Sequence, residues 1–262
     1  LFTAGIVLPA CTKRSEPVSP GAEAASPLPI TFSNPRLFRE YADTSSSESW
    51  FPIGWTTETL AETLTIDGRR ALRVLEIFRG NDSAVVGGDT MTYALDDGKD
   101  LWIYLAGAEG FRLEADPFGS LAVTGGFEPG WRPLLLQSAG SGGRYSVLQA
   151  SFGVRVESDS LAGGAPVTIN VDLGGIGRNE GTELLELDGR LLPTTKFSVD
   201  LQLTVRSGFL IVPERPTLTV SYWLAPNRGI VRRASLPLSL NLALLGGPVL
   251  RIPGSRRDLL FD

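Results

Sequence analysis

Over most of its length the chain alternates apolar and polar side chains with a period of two, and this pattern leaves few folds open. Val199, Leu201, Leu203 and Val205 would share one face of an extended segment, with Asp200, Gln202 and Thr204 on the other. Ile169, Val171 and Leu173 alternate with Thr168, Asn170 and Asp172. Leu236, Leu238, Leu240, Leu242 and Leu244 alternate with Pro237, Ser239, Asn241 and Ala243. Half-buried antiparallel strands give this signature. Hairpin signals sit between such runs. Asp67-Gly68 separates Leu64–Ile66 from Ala71–Ile77, Asp188-Gly189 follows Leu185, and Asp96 to Asp100 parts Thr90–Leu95 from Leu101–Leu105. Shorter strands are expected at Phe111–Ala115 and Ser120–Thr124. Thirty glycines and eighteen prolines favour many turns over long helices. The expected fold is mainly β: a curved antiparallel sheet or incomplete β-barrel spanning residues 32–262.

Two stretches echo each other. Leu64 to Ile77 resembles Leu185 to Val205, and Thr90 to Tyr104 resembles Leu218 to Arg232. Two related β halves, 50–137 and 144–250, would explain this, with Gln137 to Arg144 as a flexible link. A plain succession of hairpins would explain it equally. Asn34 to Tyr41 reads as a short helical turn, and Thr44 to Ser49 as a polar loop. Trp50-Phe51-Pro52-Ile53-Gly54-Trp55 reads as the start of the folded body, a hydrophobic plug at a barrel end or else a sugar-stacking platform.

Composition removes whole classes of chemistry. The chain has no histidine, which excludes Ser-His-Asp and Cys-His catalysis and every histidine-containing zinc or haem site. Its net charge of −5 argues against nucleic-acid binding. With one cysteine, no intrachain disulfide can form. No cofactor or metal is expected. Asp96-Asp97-Gly98-Lys99-Asp100 lacks the ligand spacing of a calcium loop and reads as a turn. Gly174-Gly175-Ile176-Gly177 has no helix after it to bind phosphate and also reads as a turn. Gly140-Ser141-Gly142 is no nucleophile elbow without a histidine to activate the serine. Glu183 with Glu186, or Asp200, could pair for glycoside hydrolysis, although solvated strand faces are the ordinary role of such residues. No catalytic residue is assigned, and the chain is read as non-enzymatic, with a carboxylate-based glycan-acting enzyme as the lesser alternative.

The N-terminus supplies a location. Leu1 to Ala10 is uncharged and apolar, ends in a small residue before Cys11, and is far short of the ~20 residues that span a bilayer. The basic start and initiating methionine of a signal are missing, so the chain is read as beginning inside its own signal, residues 1–10. Leu8-Pro9-Ala10-Cys11 resembles the lipobox of bacterial lipoproteins, with Pro9 an unusual occupant of its position. The resemblance implies a diacylglycerol on the Cys11 sulfur and a cell-envelope location, membrane-anchored, more often the outer membrane in a diderm host. Residues 11–31 are rich in Ser, Pro and Ala and read as a flexible tether reaching roughly 25 Å.

Tyr222-Trp223-Leu224-Ala225-Pro226-Asn227-Arg228-Gly229-Ile230-Val231, with Leu192-Pro193-Thr194-Thr195-Lys196-Phe197 and Phe51 to Trp55, is similar to uncharacterised β-rich envelope lipoproteins. Thr194-Thr195 departs from the alanine and glycine that those proteins carry. The likeness implies a curved β-sheet and no activity. The expected function is a membrane-anchored lipoprotein that binds a lipid-like ligand or an envelope protein partner, with a structural or adaptor role as the alternative. Trp102, Trp223, Leu238 and Leu240 are the candidate ligand contacts. An apolar cavity above about 300 Å³ would favour the carrier, and a filled core the adaptor.

Overall fold

The computed structural model describes residues 35–43, 50–96, 99–106, 112–114, 120–157, 167–207, 210–211, 216–241 and 249–261. Cys11, the tether, the 44–49 loop, Asp97, Gly98, Leu242 and Leu244 lie outside them. Among the described residues there are seventeen strands: β1 (Arg36–Asp43), β2 (Phe51–Ile66), β3 (Arg69–Gly80), β4 (Val85–Asp96), β5 (Asp100–Leu105), β6 (Arg112–Glu114), β7 (Ser120–Gly126), β8 (Gly130–Leu135), β9 (Arg144–Glu157), β10 (Val167–Leu187), β11 (Arg190–Ser207), β12 (Leu210–Ile211), β13 (Thr217–Ala225), β14 (Gly229–Ser235), β15 (Leu238–Asn241), β16 (Val249–Ile252) and β17 (Gly254–Leu259). No helix among them is long and apolar enough to cross a membrane.

Twelve strands in the order β9-β10-β11-β13-β14-β17-β1-β2-β3-β4-β5-β8 form an antiparallel sheet nearly closed into a barrel. One seam, between β8 and β9, stays unsealed. There the chain from Ser120 to Leu135 divides its pairing: β7 bonds to β9 and β8 bonds to β5. The Tyr145 hydroxyl of β9 donates to the Leu134 carbonyl of β8 at 2.9 Å and ties the two edges together. Seven strand pairs carry a register shift, among them Leu60/Glu62 and Asn179/Gly181. Such bulges bend strands and let a sheet this wide curl on itself.

The tight turns follow local backbone preference. Asp67 (φ 50°) with Gly68 (φ 76°) and Asp188 (φ 51°) with Gly189 (φ 70°) are both left-handed, as a two-residue hairpin requires. Asn227 and Gly229 play the same part between β13 and β14.

Four sequence expectations need correction. Asn34 to Tyr41 is no helical turn: Arg36 onward is β1, whose alternate residues Phe38 and Glu40 are buried between β17 and β2. The folded body therefore starts before Trp50, and in the Trp50–Trp55 string Phe51 and Ile53 are exposed, not plugging an end. Gln137 to Arg144 is pinned rather than loose. Gln137 donates to the Lys99 carbonyl at 2.7 Å, the Ser138 amide to Asp100 at 3.0 Å, and the Gly142 amide to the Asn179 carbonyl at 2.6 Å. Gly174 to Gly177 is the middle of β10, not a turn. A Cβ on Gly177 would sit 2.2 Å from the Tyr145 ring, so glycine is there to make room for that ring.

The outer face carries charge. Arg206 meets Asp172 at 3.0 Å and Arg69 meets Asp96 at 3.0 Å, both pairs well exposed.

Candidate functional site

Two sectors of the interior contrast, beside a second apolar cluster of Phe38, Leu185, Leu187, Ala225, Val231 and Leu259. One is apolar: Leu101, Leu134, Leu135, Val147, Phe197, Val199 and Leu224, contributed by β5, β8, β9, β11 and β13, form one buried cluster. The other, on β1, β2, β3 and β17, is charged.

Register builds the charged sector. Side chains alternate along a strand, so inward positions align across neighbours. Glu58 on β2 lies directly opposite Glu76 on β3 and opposite Arg36 on β1. Glu40 on β1 lies opposite Arg257 on β17. Two carboxylates directly opposite each other repel, and the Arg257 guanidinium answers them. Its Nε donates to Glu40 at 2.6 Å, and its Nη1 donates to Glu76 at 2.8 Å and to Glu58 at 3.4 Å. Arg36 pairs with Glu58 at 3.0 Å and also donates to the carbonyls of Arg228 and Ile230. These five side chains keep only 9–13% of their exposure.

Burial decides how they titrate. Loss of solvent pushes the Glu58 carboxyl above the ordinary glutamate range against the pull of Arg36, and Glu76 adds to the push. The same desolvation lowers Arg36. Burial also opposes charge on Arg257, but Glu76, Glu40 and Glu58 together outweigh it and raise its pKa. The three carboxylates thus converge on a guanidinium. Among the described residues no group of acidic side chains is placed to hold a metal ion.

Beside this network lies a cavity of about 110 Å³. Glu58, Glu76, Arg257, Tyr93, Tyr222 and Arg233 form its polar wall, and Phe38, Met91, Ile103, Leu134 and Ile230 the apolar remainder. Tyr93 and Tyr222 are held protonated, chiefly by burial. Arg233 stands opposite Tyr222 on one side and Arg257 on the other. A second, wider groove of about 620 Å³ lies beside the seam, lined by Phe127, Arg132, Gln149, Asp172 and Gln202 among others.

The residues first picked as ligand contacts occupy three separate places. Trp102 alternates with the core residues Leu101 and Ile103, and its ring lies under the Arg69 guanidinium at 4.3 Å. Trp223 donates its indole N–H to Glu183 at 2.5 Å and carries Lys196 at 5.1 Å. Leu238 and Leu240 belong to a separate two-stranded sheet, opposite Ile252 and Leu250. Glu183 and Glu186 are three residues apart on one strand and so point to opposite faces, while Asp200 accepts a hydrogen bond from Thr219 at 2.6 Å.

Sequence reasoning missed Arg36, Glu40, Glu58, Glu76 and Arg257. In Ala71-Leu72-Arg73-Val74-Leu75-Glu76-Ile77-Phe78-Arg79 both faces mix charge and apolar bulk. No pattern there marks Glu76 as the inward one.

No protein-family model matches the chain, and no curated protein sequence matches it. Two solved structures share its general course. One is a candidate lipoprotein from Parabacteroides distasonis ATCC 8503, with a TM-score of 0.47 and 10% identity over 90% of this chain and 98% of that one. The other is a candidate exported protein with a YmcC-like fold from Bacteroides fragilis NCTC 9343, with a TM-score of 0.46 and 10% identity over 90% of this chain and 97% of that one.

Proposed function

We propose that this chain is a lipid-anchored envelope lipoprotein whose barrel serves as a non-enzymatic adaptor, presenting its outer surface to an envelope protein. The observation that carries the adaptor reading over the carrier reading is that the described residues leave no large enclosed apolar lumen: the 620 Å³ groove beside the seam is open and walled in part by Glu128, Arg132, Gln149 and Asp172, and the more enclosed cavity is far smaller. An acyl chain needs a continuous apolar lumen, with ligand pockets typically above about 300 Å³. Arg257 and its three glutamates occupy that space, and the cavity left beside them measures about 110 Å³ with a half-polar wall. The anchoring half of the reading rests on Leu8-Pro9-Ala10-Cys11 and on the 24 residues that separate Cys11 from Arg36, the first residue of β1.

Two measurements test it. The full-length gene expressed with labelled palmitate should incorporate label into the wild type and none into Cys11→Ser. Equal label in both would end the anchor reading. Lipid extraction from the purified protein, followed by mass spectrometry, should find acyl chains only on the Cys11 peptide. A stoichiometric free lipid would restore the carrier.

A further inference from the structure

The cavity beside the charged network has more hydrogen-bond donors than the protein uses. Among the described residues neither the Tyr93 nor the Tyr222 hydroxyl has a hydrogen-bond partner, and Arg233 has neither an acceptor nor a carboxylate within ion-pair distance. Both tyrosines are half-buried and line the cavity, so their donors are available to whatever occupies it. The acceptors on the same wall are already committed: Glu58 to Arg36 and Arg257, Glu76 to Arg257. The unused capacity is thus donor capacity.

We propose that this cavity is a binding site for a small monovalent oxyanion or carboxylate, gripped by the Arg233 guanidinium and the Tyr93 and Tyr222 hydroxyls. The volume fits. About 110 Å³ is the room of three or four water molecules at roughly 30 Å³ each, enough for a carboxylate or nitrate-sized ion and too little for a sugar or an acyl chain. The chemistry fits as well. Guanidinium and phenol donors form the short, charge-assisted hydrogen bonds that oxyanions favour. The apolar wall of Phe38, Met91, Ile103, Leu134 and Ile230 strengthens them by excluding water.

Binding is coupled to a proton. The groups that face Glu58 are Arg36 and Glu40 on β1, Glu76 on β3, Tyr93 on β4, Tyr222 on β13, Arg233 on β14 and Arg257 on β17. With the tyrosines neutral, three arginines balance three glutamates, so an incoming monoanion leaves one uncompensated negative charge. Glu58, whose carboxylate burial already disfavours, removes it by taking one proton from solvent. Anion affinity therefore rises as the pH falls.

The test is calorimetric titration of the purified full chain with sodium formate, with inorganic phosphate in parallel as a bulkier probe. The expected result is one saturable formate site, about tenfold tighter near pH 5.5 than near pH 7.5, with phosphate binding weakly or not at all. Arg233→Gln should weaken formate at least tenfold and Tyr222→Phe several-fold. Glu58→Gln should keep the site and abolish its pH dependence. If Arg233→Gln fails to fold by circular dichroism, the paired Tyr93→Phe and Tyr222→Phe variants decide. No saturable formate site, or a site indifferent to Arg233 and both tyrosines, would overturn the proposal. The proposal is independent of the adaptor reading, because Cys11→Ser leaves the cavity intact.

Discussion

The two sectors of the barrel interior answer the same packing problem with different chemistry. Around Phe197, Leu101 and Leu224 the lumen is closed by apolar bulk, which is non-directional and tolerates modest change. Around Arg257 it is closed by one guanidinium against three carboxylates, which tolerates nothing that unbalances it. A buried ion network seldom adds more stability than apolar packing of equal volume, yet it punishes the loss of one partner severely. Shape holds the apolar sector. Charge balance holds the other.

The largest effect should follow from breaking that balance. Arg257→Met keeps the volume and leaves Glu40, Glu58 and Glu76 uncompensated, which should cost about 3–5 kcal/mol in urea unfolding. Adding Glu→Gln at all three positions should recover most of the loss. If the quadruple variant is no more stable than Arg257→Met alone, packing and not charge is what Arg257 supplies.

Leu101→Ala probes the other sector. Leu101 is fully buried, and the cavity left behind should cost about 2–5 kcal/mol by the same measurement. The sectors then separate by salt and pH. The Leu101→Ala loss should be nearly constant from mildly acid to neutral pH, and the Arg257→Met loss should shrink in acid as the carboxylates take up protons.

The same contrast explains what could be read from the sequence. The β class, the incomplete barrel and the Asp-Gly hairpins were legible because alternation and turn chemistry are local. The apolar sector was half legible: Val199 and Leu201 stand in a clean alternating run, whereas Leu101 and Leu134 do not. The charged sector was not legible at all. Glu58 and Glu76 are eighteen positions apart in sequence and meet only through the β2–β3 register, and Arg257 reaches them from the other end of the chain. Gly174 to Gly177 was misread because a glycine run has two uses, turning the chain and admitting a neighbour. Only the position of Tyr145 shows that Gly177 serves the second.

That pairing gives the next prediction. Gly177→Ala would drive a methyl into the Tyr145 ring and displace the hydroxyl that bridges the seam to Leu134. Overpacking of this kind should cost about 1–3 kcal/mol. Amide exchange in β8 should rise more than in β2 or β3. Uniform exchange across the sheet would mean that the seam is sealed by something other than Tyr145.

Glu58→Gln should act through pH. The folded-state pKa of Glu58 lies above its ordinary value of 4.5, so the native state holds the extra proton. The resulting stability is complete below about pH 4.5 and is lost as the pH rises through the raised folded value. The variant should flatten that part of the urea-midpoint profile. An unchanged profile would place the titration on another group.

The smallest effect belongs to an ion pair of the same type on the outside. Arg206 and Asp172 lie 3.0 Å apart, much as Arg257 and Glu76 lie 2.8 Å apart, but the outer pair keeps 55% and 37% of its side-chain exposure against 11% and 9% within. Water screens the outer pair and solvates either partner when the other is removed, so Asp172→Asn should cost under about 1 kcal/mol and lose even that at high salt. If Asp172→Asn approached the cost of Arg257→Met, burial would not be what separates the two pairs. The account of the interior as a charge-balanced sector beside an apolar one would then fail with it.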